Sequence, residues 1–121
     1  MSEINLMDRL TYARIAGPGG HKEKIQAISA AETLTDVVAG VAGEILKVDR
    51  VIICSTTTNP ISVHLEDAGV QKGPLLHCPA NDTIGHNVIV DYPDGAGIDI
   101  QFAGTSPTGQ VYLDYHIKGA Q

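Results

Sequence analysis

Apolar and polar residues alternate with a period of two along most of the chain after residue 25. The clearest alternating segments are 61–66, 87–92, 98–102 and 111–118. Because successive side chains of a strand point to opposite faces, this pattern predicts strands with one buried and one solvated face. Segment 45–54 is apolar at both parities and predicts a central strand, or one that bends partway. Segments 25–30 and 33–38 are weaker strand candidates.

Residues that favour turns separate these segments. They are found at 59–60, 71–74, 81–82, 93–95 and 105–109. We interpret 71–74 as a break between two strands and 105–109 as the hairpin loop joining the last two. Residues 30–41 also have a composition that suits a helix, but their β-branched residues favour a strand and turn. Seven to nine short strands predict an all-β fold, an antiparallel β-sandwich or jelly roll.

The first 22 residues follow a different pattern. An apolar set at Ile4, Leu6, Met7 and Leu10 would make one face of a helix of under three turns, which is marginal in water. The breaker Gly-Pro-Gly-Gly follows at 17–20. We therefore divide the chain into an N-terminal extended arm, residues 1–22, and a β-sandwich domain, residues 23–121. Two interpretations of the arm remain open, a frayed terminus and a segment that reaches a neighbouring subunit.

Composition and charge exclude several classes of function. A chain of 121 residues is the size of one domain. Its net charge is −6 and its eight Lys and Arg are scattered, which argues against binding nucleic acid or an anionic membrane surface. It has neither the ~20-residue apolar run of a membrane span nor an apolar signal segment. Two cysteines predict no disulfide framework, so we expect synthesis and folding in a cytoplasm.

The histidines and cysteines do not have the spacing of a zinc site. Such sites usually contain close ligand pairs, and here the nearest pair is the adjacent His77 and Cys78, whose side chains would point to opposite faces of a strand. His64 and His116 have outward parity in their predicted strands. We interpret the histidines as surface or interface residues and Cys54 as a small buried side chain.

Signatures of catalysis are also missing. Asp91, Asp94 and Asp99 flank a glycine-rich turn, but a small sandwich without long loops offers little cleft for a pair of catalytic carboxylates. The segment 91–95 lacks the spacing of a twelve-residue calcium loop. The chain has no Gly-x-Ser-x-Gly motif, and the glycines at 17–20 lack the lysine of a phosphate loop. The sequence therefore predicts a protein that is not an enzyme and that has no cofactor and no metal ion.

The order of segments from residue 25 to 118 resembles that of a known family. Segment 32–38 leads through a small-residue turn at 41–43 into the long apolar strand, and the hydroxyl-rich segment 55–65 follows. This arrangement resembles the small β-sandwich virion proteins of tailed bacteriophages. The resemblance implies a structural or decoration role on a capsid, or a place in the neck or tail, and it supplies no catalytic residues.

The expectation is therefore a non-enzymatic capsid decoration or cement protein, made in the host cytoplasm and located in the virion. Its partner would be the major capsid protein, and it would form a homo-oligomer, most simply a trimer. The candidate contact residues are Ile4, Leu6, Met7, Leu10, Tyr112 and His116. The alternatives are a neck, tail or fibre component, a carbohydrate-binding β-sandwich, and a small metal-dependent enzyme. An enzyme of that kind would use His64, His77, His86 or His116.

Overall fold

The computed structural model describes residues 21–119, which form eight β-strands. The strands are β1 (His21–Ile28), β2 (Thr33–Val38), β3 (Glu44–Ser55), β4 (Ile61–Asp67), β5 (Val70–Cys78), β6 (Thr83–Asp91), β7 (Ile98–Gly104) and β8 (Gly109–Gly119). No helix in this part of the chain is long and apolar enough to cross a membrane. The predicted arm, with Ile4, Leu6, Met7 and Leu10, lies outside the described residues, although β1 already begins at His21.

The strands form two antiparallel four-stranded sheets. Sheet A has the order β1-β8-β3-β6 and sheet B the order β2-β7-β4-β5. The first strand therefore pairs with the eighth, the second with the seventh, the third with the sixth and the fourth with the fifth. This is the pairing of one long antiparallel hairpin that has been rolled into two layers, which is the jelly roll. The predicted all-β sandwich is confirmed, and its topology is that of a jelly roll.

The core lies between the two sheets and is built from the inward parity of each strand. Val, Ile and Leu supply most of it, and Phe102 is the largest of its fully buried side chains. β6 shows the alternation clearly, because Val88 and Val90 are 6% exposed whereas Ile89 between them is 84% exposed. The period-two pattern therefore assigned the buried and solvated faces correctly. Cys54 is half-buried, and it is Cys78 that is fully buried, contrary to our interpretation of Cys54.

Residues 71–74 do not separate two strands, because they lie inside β5. The turn comes earlier, where Ala68 and Gly69 both have positive φ angles, 50° and 84°, between the paired residues Asp67 and Val70. Two consecutive positive φ angles suit the tight turn of a two-residue hairpin. A proline at position 74 is tolerated because β5 is an edge strand of sheet B and its register with β4 is irregular there.

The segment 105–109 is not a hairpin loop either. It leaves β7 in sheet B and enters β8 in sheet A, so it crosses from one layer to the other. Pro107 is buried within this crossing, and the carbonyl of Thr108 accepts a hydrogen bond from the Thr56 amide at 2.9 Å. Among the described strands only β4 and β5 are consecutive and paired in the same sheet. Turn residues mark where a strand ends, but they do not say which sheet the next strand joins.

Candidate functional site

The outer face of sheet A brings imidazole and carboxylate groups from three neighbouring strands together. The register places His21 of β1 opposite His116 of β8, and Glu23 opposite Asp114. On the other side of β8, Asp114 lies opposite Arg50 of β3. Backbone hydrogen bonds of the sheet hold these positions. We call the group formed by His21, Asp49, Asp114 and His116 the His–Asp cluster.

A β-bulge in β3 places Asp49 in the His–Asp cluster. The register passes from Val48 opposite Tyr115 directly to Arg50 opposite Asp114, so Asp49 is an extra residue without a partner position on β8. The register with β6 is also irregular here, because it passes from Val48 opposite Val90 to Arg50 opposite Asn87. A bulge leaves one residue unpaired and changes the direction of its side chain. Here it brings the Asp49 carboxylate to the ring of His116.

The distances within the His–Asp cluster are short. His21 Nε2 lies 2.5 Å from Asp114 Oδ1, and His116 Nδ1 lies 2.7 Å from Asp49 Oδ2. One ligand atom each from His21, Asp49 and Asp114 all lie within 4.8 Å of one another. The four side chains are between 13% and 39% exposed, so the group is shielded but open to small solutes.

The nearby cationic side chains of β3 point towards β6. Lys47 Nζ forms an ion pair with Asp91 at 3.4 Å. Arg50, the register partner of Asp114, lies over Gly85, where its guanidinium fills the space that a Cβ atom would take. Glu23 adds another carboxylate on the opposite side, 4.0 Å from His21 Nε2. The His–Asp cluster therefore lies in negatively charged surroundings.

Tyr112 lies on the same face, one outward position before Asp114 on β8. A hydrogen bond with the Glu23 carboxylate, together with partial desolvation and nearby negative charge, raises the pKa of Tyr112 to about 12. Its register partner on β1 is Ile25, whose side chain is 60% exposed. Tyr112 and Ile25 form a small apolar strip beside the His–Asp cluster, which we call the Tyr–Ile strip.

The combination of one imidazole nitrogen and two carboxylate oxygens is a ligand set for divalent metal ions. Zinc accepts His nitrogen and Asp oxygen, and imidazole also suits other first-row transition metals. A carboxylate held by a second imidazole, as Asp49 is held by His116, is a common way to orient a ligand from outside the first coordination sphere.

The four histidines that we considered for a metal-dependent enzyme do not come together. His64 Nε2 contacts Glu66 at 2.6 Å on sheet B, and His77 Nδ1 contacts the Ser62 hydroxyl at 3.1 Å. His86 Nε2 lies 3.0 Å from the carbonyl of His77 and bridges the two sheets where β5 and β6 meet. Only His116 of the four belongs to the His–Asp cluster.

Sequence reasoning placed Tyr112 and His116 on a solvated face, and the structure confirms that placement. It did not identify His21, Asp49 or Asp114 as their neighbours. His21 fell in the range assigned to the arm, and Asp49 lies in an apolar segment. The parity of Asp114 was a usable signal, because it alternates outward with Tyr112 and His116. The bulge that adds Asp49 has no such signal.

Comparisons with known proteins are sparse. No family model matches the chain, and no curated protein matches it. Among solved structures, the chain is similar to a sugar-binding protein described as the EclA C-terminal domain, with 19% identity over 85% of this chain and 86% of that one. The TM-score is 0.35, at which the likeness carries no argument about function.

Proposed function

We propose that this chain is a non-enzymatic structural protein of a tailed-bacteriophage virion, which decorates the shell by binding the major capsid protein. The order of strands, the basis of the family resemblance, supports this. The topology supports it as well, since jelly rolls are common in viral capsid and lectin domains. A fold alone does not determine function, and a decoration protein also requires a surface that suits a protein partner.

The Tyr–Ile strip is the observation that carries the proposal. Ile25 and Tyr112 lie side by side at the open edge of sheet A, on β1 and on the strand paired with it. In sequence, β1 follows the N-terminal segment that contains the apolar residues of segment 4–10, with the breaker at 17–20 between them. Lys22 and Lys24 share the inward parity of β1, and charged residues at such positions protect an edge strand from unspecific pairing. Binding would therefore use the face of β1 rather than its backbone edge.

The first experiment is to count copies in purified particles from the source of the protein. Quantitative mass spectrometry gives the ratio of this chain to the major capsid protein. Hundreds of copies are expected for a decoration protein, because it follows the symmetry of the shell. About a dozen copies would place the protein in the neck or tail, since those parts lie on a single axis. Absence from the particles would contradict the virion proposal.

A matched pair of variants tests the contact surface. Ile25→Asp should strongly reduce co-sedimentation with particles that lack the protein, because it places a charge in the Tyr–Ile strip. Ile89→Asp is the control, since Ile89 is an exposed isoleucine of the same sheet but lies on the opposite edge strand, β6. Deleting residues 1–20 tests the N-terminal segment in the same assay. Equal binding by all variants would show that the contact lies elsewhere.

A carbohydrate-binding module is the second candidate, and Tyr112 is the observation that favours it. An aromatic ring beside a carboxylate offers both a stacking surface and a hydrogen-bond acceptor to a sugar, and Glu23 accepts from the Tyr112 hydroxyl. A glycan array probed with the full chain and with Tyr112→Ala would test this. Binding that disappears in the variant supports the candidate, whereas no binding by the unaltered chain removes it.

A further inference from the structure

We propose that His21, Asp49 and Asp114 bind a divalent transition-metal ion, with Zn²⁺ as the probe, and that this ion fastens strand β1 to the centre of sheet A. The proposal does not depend on the function proposed above, because it rests on the geometry of the His–Asp cluster alone. It differs from our expectation that the chain has no metal site.

The ligand set is suited to zinc in type and number. Catalytic and accessory zinc sites commonly use three protein ligands and leave the fourth position to water. Here one ligand atom from each of the three residues lies within 4.8 Å of the other two. Bonds of about 2.0–2.2 Å to nitrogen and oxygen would place an ion between these atoms after small side-chain rotations.

The ligands come from three adjacent strands, whose backbones hold the three side chains near one another. His21 is the first residue of β1, Asp114 lies in β8, and Asp49 lies at the bulge of β3. The backbone of each strand is fixed by its neighbours, so binding an ion orders few additional groups. Preorganised ligands lose less conformational entropy on binding.

The Asp114 carboxylate and the His21 ring already face each other. Asp114 Oδ1 is shielded from solvent and lies 2.5 Å from His21 Nε2, which compensates its charge. Both atoms are also possible metal ligands. A metal ion bound at this place would replace their mutual contact with one bond to each atom.

His116 acts as a positioning residue for Asp49. Its Nδ1 lies 2.7 Å from Asp49 Oδ2, and its side chain is only 13% exposed, so the ring has little freedom to turn away. Partners of this kind hold a metal ligand in place, and losing one typically lowers metal affinity by about 10–100-fold.

The local charge also favours a cation. Glu23 lies 4.0 Å from His21 Nε2, so three carboxylates surround the position. The two cationic side chains of β3 contact β6 instead. Lys47 forms an ion pair with Asp91, and Arg50 lies above Gly85. A divalent ion would therefore bind in a field of opposite sign.

The binding experiment uses the full chain, purified without a metal-affinity tag and treated with chelator. Calorimetric titration with ZnCl₂ should give one ion per chain. Asp114→Asn and Asp49→Asn should each weaken binding by more than about 100-fold, and His116→Gln by about 10–100-fold. His77→Gln is the control, because His77 is an exposed histidine of sheet B and should leave the affinity unchanged.

Hydrogen exchange tests the structural part of the proposal. Zn²⁺ should slow amide exchange in β1 of the unaltered chain and of His77→Gln, but not in Asp114→Asn. Circular dichroism before titration confirms that each variant is folded. Failure to bind Zn²⁺, equal affinity in the aspartate variants, or a site that takes Ca²⁺ but not Zn²⁺ would each overturn the proposal.

Discussion

Two histidine–carboxylate pairs lie on opposite outer faces of the sandwich, and they look alike at first. His64 contacts Glu66 at 2.6 Å on sheet B, and His116 contacts Asp49 at 2.7 Å on sheet A. Both histidine side chains are 13% exposed. The carboxylates differ, because Glu66 is 11% exposed and Asp49 is 39% exposed.

The carboxylates around the two pairs also differ between the sheets. On sheet B, Glu66 lies opposite Asp99 in the register, and Asp99 has its own donor, the Asp36 amide at 2.8 Å. On sheet A, the carboxylates of Asp49 and Asp114 converge on the position next to His21. Sheet B thus carries satisfied polar groups that contribute to stability, whereas sheet A carries ligands that face a common point and suit binding.

Replacing the two histidines should give the largest contrast. His64→Ala leaves the shielded Glu66 carboxylate beside Asp99 without its imidazole partner, and it should lower the free energy of unfolding by about 3 kcal/mol. His116→Ala should cost about 1 kcal/mol, since water can reach Asp49. Urea denaturation of both variants measures the difference. Equal losses would contradict the assignment of stability to sheet B.

Tyr92→Phe should have the next largest effect. Tyr92 is 2% exposed and its hydroxyl donates to the carbonyl of Glu66 at 3.1 Å, so the variant leaves that carbonyl without its donor. We expect a loss of about 1–2 kcal/mol in the free energy of unfolding. Tyr115→Phe is a useful control, because Tyr115 belongs to the same core cluster but lies in sheet A.

Tyr92→Phe also tests how the free energy of unfolding falls at high pH. Burial, with the nearby charge of Asp99, Asp67 and Glu66, raises the pKa of Tyr92 well above its ordinary value. A pKa raised in the folded state means that stability is fully present below about pH 10, the pKa in the unfolded chain, and is lost as the pH rises beyond it. Tyr92→Phe should therefore lose less stability between neutral and high pH than the unaltered chain. Parallel pH profiles would argue against this role of Tyr92.

Asp114→Asn should change the free energy of unfolding little. This variant tests whether the carboxylates of sheet A serve binding rather than stability. Without a bound metal the substitution removes one of several neighbouring carboxylates, and the side-chain oxygen of asparagine can still accept a hydrogen bond from the His21 ring. We therefore expect a change within about 0.5 kcal/mol in the free energy of unfolding. Thermal denaturation in chelator measures it. A loss as large as that of His64→Ala would show that the His–Asp cluster is a structural element rather than a binding site.

The last prediction concerns the reaction rates of the two thiols, Cys54 and Cys78, and involves no change in the free energy of unfolding. Cys54 is half-buried at outward parity on sheet A, whereas Cys78 is fully buried and burial raises the pKa of its thiol. Because the thiolate is the reactive form, a maleimide at neutral pH should label Cys54 first. Mass spectrometry of partly labelled protein identifies the modified residue. Faster labelling of Cys78 would show that the core opens more readily than sheet A.

The sequence was informative about strands and uninformative about how they pair. The alternation of apolar and polar residues identified the inward faces of β4, β6, β7 and β8, because each of these strands has one buried face. It placed a break at 71–74 because glycine and proline usually end strands, yet an irregular edge strand accommodates both. The crossing at 105–109 was misread for a related reason. The sheet that a strand joins depends on contacts with residues far away in sequence.

The sequence predicted some residues of the candidate site and missed those that depend on how the strands pair. Parity showed that Tyr112 and His116 face outward, and it could have added Asp114. Asp49 depends on a single inserted residue in the register of β3, and the alternation of an apolar strand does not reveal it. His21 depends on the pairing of the first strand with the eighth, which local patterns do not encode.

The central position of β8 in sheet A has a consequence for how the protein is made. β8 lies between β1 and β3, yet it follows all seven other strands in sequence. A ribosome therefore releases both flanking strands before it has synthesised the strand that joins them. The local hairpin of β4 and β5 can form early, while β1 waits with an unpaired backbone. The time needed to translate the strands from β2 to β8 thus sets how long β1 remains without its partner strand.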